Sequence, residues 1–296
     1  MLYIDLNGRL IPETRAQISV FDSALLYGEG LFETLRAVDG NILFLDRHLD
    51  RLWRSCRAIG FPPPVPKATL VRRLKRLLKA NRLCDAYVRI NVSLNEVEVG
   101  DPRRRRAGFH VILFAKPFLP YPARCYTKGA RLVIIRSVVN DPLPLANIKS
   151  TNYLAKIMAR RDALLRGADE GILLNIHGRI TEGASSNIFI VRRGVVMTPP
   201  LSEGVMPGVT RDRVREICRS LKIPYRFTPL AVNDLRRADE IFITSTLKGV
   251  MPVGWIEGRR LRTTSFAVTP QIARGYPELG VSNAALSRGS SSAKTR

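Results

Sequence analysis

The sequence is short of several residue types, and each shortage removes a class of explanation. Four cysteines, Cys56, Cys84, Cys125 and Cys218, are spread over 296 residues with no CxxC pair. That excludes a disulfide framework and thiolate zinc spacing. Cys56 and Cys218 fall on apolar helical stripes and read as small core residues. The only histidines are His48, His110 and His177, too scattered for HExxH, so no metal site is expected. No apolar run approaches a membrane span and no signal-peptide pattern is present, which leads to the expectation of a cytoplasmic protein. No internal repeat is evident. Acidic residues are scarce too: 25 Asp and Glu stand against 48 Lys and Arg, for a net charge of +23. Within that basic set lysine is the rare member, with 10 against 38 arginines.

What is present is an ordinary globular composition, 45% hydrophobic, in a chain long enough for about two domains. The charge invites a nucleic-acid or anionic-membrane reading. Apart from the run Arg103 to Arg106, however, the arginines are dispersed as pairs and singles. No zinc-finger spacing or aromatic-rich basic strand accompanies them. A solvated arginine-rich surface accounts for the pattern better than a nucleic-acid partner does.

Periodicity and turn chemistry organise the chain. Asn7-Gly8 and Asp39-Gly40 are hairpin signals. Leu45, Leu49, Leu52, Cys56 and Ile59 recur at helical spacing, as do Leu70, Leu74, Leu77 and Leu78. Val88 to Ser93 and His110 to Ala115 read as strands flanking the arginine run. Three prolines between Lys116 and Pro122 mark a linker. Helices are then expected over Asn152 to Arg166 and Thr210 to Leu221. Strands are expected over Gly171 to Leu174, Asn187 to Val191 and Glu240 to Thr244. This gives an α+β fold with a small N-terminal α/β domain over residues 1–117. A linker over 118–127, a larger domain over 128–280 and a disordered basic tail over 281–296 follow.

Several segments have the residue types for chemistry, each with a plain structural alternative. Met206-Pro207-Gly208-Val209-Thr210 precedes a helix, whose N-terminal N–H groups suit a phosphate or simply need a cap. Ile243-Thr244-Ser245-Thr246 ends an apolar strand in hydroxyls that face an anion or only solvent. Glu182, among the small residues of Thr181 to Ser186, is a ligand carboxylate or a turn residue. Lys149 is one of the few lysines, and a lysine can lose its proton where an arginine cannot. A solvated lysine near a helix start is its alternative. Arg51 falls off the stripe of Leu45, Leu49, Leu52 and Cys56, so the helical wheel assigns it to the surface.

Taken in order, Phe21 to Leu35, His48 to Leu52, Ile148 to Leu154, Thr181 to Phe189, Met206 to Arg211 and Ile243 to Val253 resemble the fold-type IV pyridoxal-phosphate enzymes. These class IV aminotransferases include branched-chain and D-amino-acid aminotransferases and 4-amino-4-deoxychorismate lyases. The resemblance runs from about Leu2 to Val268. It implies the two-domain D-amino-acid aminotransferase-like fold, with the active site between domains, and a homodimer. It implies pyridoxal 5′-phosphate as cofactor, with Lys149 as the lysine that bonds covalently to it and shuttles the proton. Glu182 matches the carboxylate at the pyridine nitrogen, and Arg51 the arginine at the phosphate, against its surface placement on the wheel. Val209, Thr210, Ser245 and Thr246 match the phosphate cup. Tyr153 matches a residue near the phenolic oxygen and Met206 one against the ring, where leucine is commoner in the family.

For the substrate, Tyr27 and Phe32 match pocket positions. Tyr87-Val88-Arg89 is similar to the Tyr-x-Arg strand that receives a carboxylate in branched-chain aminotransferases. Lys149-Ser-Thr-Asn-Tyr153 is one residue shorter than the common bacterial branched-chain form and looks like the D-amino-acid and lyase groups. Lys248-Gly249 departs from the Ala-Glu or Ser-Glu common in the family. The resemblance therefore implies an aminotransferase acting on a small, branched-chain or other aliphatic, amino acid. A lyase releasing pyruvate and 4-aminobenzoate is the alternative. A basic nucleic-acid-binding module on the same fold is the alternative from another class.

Overall fold

The computed structural model describes residues 1–97, 108–140, 144–261 and 267–276. The Arg103 to Arg106 run and the tail over 281–296 lie outside the described residues. Both hairpin signals are realised. Asn7 and Gly8 (φ 52° and 89°) and Asp39 and Gly40 (φ 49° and 75°) take the left-handed conformation that a two-residue hairpin turn demands. They join β1 (Tyr3–Leu6) to β2 (Arg9–Pro12) and β3 (Gly30–Val38) to β4 (Asn41–Ile42). Between the hairpins lies α1 (Ser23–Tyr27). With β5 (Ala86–Leu94) and β6 (Phe109–Pro117) the strands form one antiparallel sheet ordered β2-β1-β6-β5-β3-β4. Two helices, α2 (Leu45–Ala58) and α3 (Lys67–Ala80), bury Leu49, Leu52, Trp53 and Cys56, and Leu70, Leu74, Leu77 and Leu78. These pack in one core with Leu31, Leu35, Val88, Ile90 and Val92 of the sheet.

The chain divides into two compact units, the first being Met1–Leu119 together with Ile148–Tyr153. The second segment is a correction to the division drawn from sequence, which left it inside 128–280. Its backbone is the reason. Phe32 N donates to Lys149 O (2.9 Å), Thr151 N to Gly30 O (2.8 Å) and Thr151 Oγ1 to Gly28 O (2.9 Å). Gly30 is required by this close approach. A Cβ there would lie 2.7 Å from Ala24 Cβ and 2.8 Å from Thr151 Oγ1.

The second unit takes Pro120–Asn147 and the chain from Leu154 on. Residues Cys125–Gly129 form a wide helical turn, with Cys125 in the core, so the end of the linker expected over 118–127 is packed structure. The elements that follow are β7 (Ala130–Val139), α4 (Leu154–Leu165), β8 (Glu170–Leu174), β9 (Arg179–Gly183), β10 (Asn187–Arg192), β11 (Val195–Thr198), α5 (Val209–Ser220), β12 (Tyr225–Phe227), β13 (Leu230–Ala231), α6 (Val232–Arg237), β14 (Glu240–Ser245), β15 (Gly249–Ile256), β16 (Arg259–Arg260) and α7 (Thr269–Arg274). Nine strands run β12-β11-β10-β14-β15-β7-β8-β9-β13, with β16 beside β15. The sheet is mixed, β7 being parallel to both β15 and β8. Helix α4 lies on β7 and β8 through Ala159 and Ala163, which pack with Val133 and Ile135. Both units mix helices with sheet, as an α+β protein does.

Candidate active site

In the first unit, pairing with β3 places Lys149 beside Phe32. Lys149 Nζ lies 4.3 Å from the Phe32 ring centroid and 5.7 Å from that of Tyr153. The two rings meet edge to face at 5.4 Å. Arg89, on the neighbouring β5, holds its guanidinium carbon 3.4 Å from the same Phe32 centroid. Arg89 Nε also donates to Asn91 Oδ1 (2.9 Å), and burial pushes its pKa down. Tyr87 lies two residues earlier on β5, its ring 6.2 Å from Phe114. Tyr27 ends α1 and is exposed.

Arg51 is buried, which corrects the helical-wheel placement. The reason is Glu33, an acidic residue inside the apolar strand β3. Its carboxylate accepts from Arg51 Nε (2.7 Å) and Nη2 (2.7 Å) and lies 2.8 Å from His48 Nδ1. Burial pushes the Glu33 carboxyl up, but Arg51 and His48 together outweigh it and hold it at about 2. Burial lowers the His48 pKa despite Glu33, and the charges of Arg51 and Lys149 add to the effect.

In the second unit Glu182, on β9, is buried among polar partners. Its Oε1 meets Lys156 Nζ (2.5 Å), and its Oε2 accepts from Met206 N (2.9 Å) and Asn187 Nδ2 (3.2 Å). Asn187 Nδ2 also donates to Met206 O (3.1 Å). A Cβ on Gly208 would run into Asn187 Oδ1, so glycine is needed where α5 begins. Val209 and Thr210 form the first turn of α5. Its N-cap is Gly208, which has no side chain to cap the N–H groups of that turn. Ser245 ends β14 and Thr246 follows in the turn to β15, where Ser245 Oγ accepts from Lys248 N (3.2 Å). Lys248 itself is buried, with Nζ 3.0 Å from Glu170 and 2.6 Å from Ser185 Oγ.

The amino-transferase class IV family profile matches residues 30–256. The chain belongs to the class IV aminotransferases. This class IV aminotransferase is 38% identical over 259 residues to a putative branched-chain-amino-acid aminotransferase of Methanocaldococcus jannaschii, covering 86% of this chain and 88% of that one. A D-alanine aminotransferase of Bacillus licheniformis is 29% identical over 256 residues, 86% of this chain and 88% of that one. Among solved structures, a branched-chain amino acid aminotransferase of Escherichia coli superposes with a TM-score of 0.86. It is 29% identical and 92% of each chain is covered. The family is dependent on pyridoxal phosphate.

The donor sets of this aminotransferase fit such a cofactor. A dianionic phosphate suits the N-terminal N–H groups of α5 and the hydroxyls of Thr210, Ser245 and Thr246 in the second unit, and it suits a buried arginine such as Arg51 in the first. A protonated ring nitrogen suits the buried Glu182 carboxylate, and a reactive carbonyl suits Lys149. Phe32, Tyr153, Arg89 and Lys149 come together in the first unit. Glu182 and Met206 come together in the second. Tyr27 and Tyr87 make none of the contacts with Lys149 described above. Sequence reasoning missed Glu33 and Asn187. The signal for Glu33 was a charge within an apolar strand; Asn187 carried none.

Proposed function

We propose that this aminotransferase moves the amino group of a small aliphatic amino acid, branched-chain ones foremost, to a 2-oxo acid with pyridoxal 5′-phosphate as cofactor. The observation that carries this reading is the sharing of one Phe32 ring by the Lys149 amine and the Arg89 guanidinium. An α-amino acid offers an amine and a carboxylate one carbon apart, and an apolar ring in contact with both a lysine and an arginine matches that with an aliphatic side chain. When bound, the cofactor supplies an electron-accepting ring and carries the amino group between half-reactions. Lys149 would hold the cofactor through its amine and move the Cα proton. Glu182 keeps the ring nitrogen protonated, while Asn187 and Met206 N fix the carboxylate. Arg51, Val209, Thr210, Ser245 and Thr246 hold the phosphate. Tyr153 and Met206 border the ring, and Arg89 with Tyr87 receives the substrate carboxylate beside Tyr27 and Phe32.

The test is incubation with 2-oxoglutarate and a panel of L- and D-amino acids. Glutamate formed from L-valine, L-leucine or L-isoleucine is expected. Product from D-amino acids alone overturns the donor assignment. Pyruvate released from aminodeoxychorismate, with no glutamate from any donor, overturns the transferase reading. Lys149→Ala is expected to abolish a visible band that borohydride bleaches in the wild type; a band that survives removes Lys149 from its role.

The same reading includes a homodimer in the cytoplasm. Exposed apolar side chains support the dimer: Ile18, Val20, Phe21, Leu25, Leu26 and Tyr27 fall within ten residues of the first unit. The four unpaired cysteines suit a reducing compartment.

A further inference from the structure

The family profile ends at residue 256, yet the described chain goes on to build α7. One carboxylate fastens that extension. Glu240, the first residue of β14, accepts from the backbone N–H groups of Ala267 (2.7 Å), Val268 (2.8 Å) and Thr269 (2.8 Å), and from Thr269 Oγ1 (2.6 Å). Ile272 is fully buried. Gly275 packs so closely on α5 that a Cβ there would lie 2.8 Å from Ile217 Cγ2. The extension is therefore held to β14 and α5 by contacts that do not involve its last described residue, Tyr276.

Tyr276 is buried, and its hydroxyl lies 3.2 Å from Thr210 Oγ1. Thr210 is the second residue of α5, the helix whose N-cap has no side-chain bond. We propose that Tyr276 is a positioning residue for the cofactor phosphate: its hydroxyl donates to Thr210 Oγ1 and thereby turns the Thr210 proton toward the phosphate. A threonine hydroxyl has one proton to give, and a donor on its oxygen decides where that proton points. Burial pushes the Tyr276 hydroxyl up to about 12, so it keeps the proton that this bond requires it to donate. The inference rests on the phosphate role proposed above for Thr210.

The test compares full-length wild type, Tyr276→Phe, Thr210→Val, Thr210→Ser and the Tyr276→Phe/Thr210→Val pair. Each is titrated with pyridoxal phosphate and, separately, with pyridoxal, which lacks the phosphate. Tyr276→Phe is expected to weaken pyridoxal phosphate binding about 3- to 10-fold, the change one net hydrogen bond supplies, and to leave pyridoxal binding unchanged. At saturating cofactor its kcat stays at the wild-type level. The double variant binds no more weakly than Thr210→Val, because both act through one hydroxyl. Thr210→Ser retains wild-type affinity. Unchanged pyridoxal phosphate affinity in Tyr276→Phe, equal weakening for both ligands, or additive losses overturns the inference and leaves the proposed function standing. A wild-type chain that binds neither ligand overturns both.

Discussion

Arg51 is buried because Glu33 lies across from it, with two hydrogen bonds of 2.7 Å between them. Removing one member of such a pair leaves an uncompensated buried charge. Glu33→Ala is therefore expected to cost about 3–5 kcal/mol of stability, measured by urea unfolding. A loss below about 1 kcal/mol, the value of an exposed pair, would show that Arg51 finds water instead. His48 adds a pH dependence. Its folded pKa lies below the ordinary 6.5, so on acidification the unfolded chain takes up a proton that the folded chain refuses. Stability is then lost as pH falls through 6.5. Glu33, held at about 2 against an ordinary 4.5, adds a second loss below 4.5 with the same sign. Melting temperature followed from about pH 7 to 5 should fall less steeply in His48→Gln than in the wild type. Parallel curves would remove His48 from the account.

The start of α5 shows how one element brings separate residues to one place. Gly208 lies against Asn187, and Asn187 holds both the Glu182 carboxylate and the Met206 carbonyl. Gly208→Ala suffers no backbone strain at φ −73°, so its effect is steric. It is expected to cost about 1–3 kcal/mol as Asn187 is displaced, and to weaken cofactor uptake with it. Unchanged uptake would separate Asn187 from the Glu182 site. Elements of this kind differ in how far sequence exposes them. The two hairpins and α2, α3 and α5 were legible because turn residues and helical spacing are local. Helix α1 was not, being five residues long and fixed by Asp22. That carboxylate accepts from Ala24 N and Ser93 Oγ and lies 2.6 Å from His110 Nδ1. Pairing of residues 148–153 with β3 was hidden for the same reason, since it joins residues more than a hundred positions apart. At the site, Lys149 and Glu182 had suitable chemistry, but only the family resemblance selected them. Arg51 was misplaced because a helical wheel does not see a partner on a strand.

At the scale of the whole molecule, charge and apolar surface pull in opposite directions. Many arginines are engaged within the fold, Arg73 and Arg76 with Asp5 and Arg179 with Glu203 among them. The net charge of +23 still makes two copies repel. Against this stand the apolar residues of 18–27 and the outer side of α4. Inside, α4 buries Ala159 and Ala163; outward it exposes Leu154, Met158, Leu164 and Leu165, the last at 89%. A helix with small residues inward and large apolar ones outward is poorly suited to water, and the proposed dimer would cover such surface. Because repulsion between copies is screened by salt while apolar burial is not, association should strengthen with ionic strength. Light scattering is expected to give twice the chain mass, with the dimer persisting to lower concentration at higher salt. Leu25→Glu combined with Leu154→Glu, two exposed changes that leave both cores intact, should shift the population to monomer without lowering the melting temperature of the isolated chain. A wild-type monomer across the whole salt range would overturn the dimer. A dimer indifferent to both substitutions would move its interface away from 18–27 and α4.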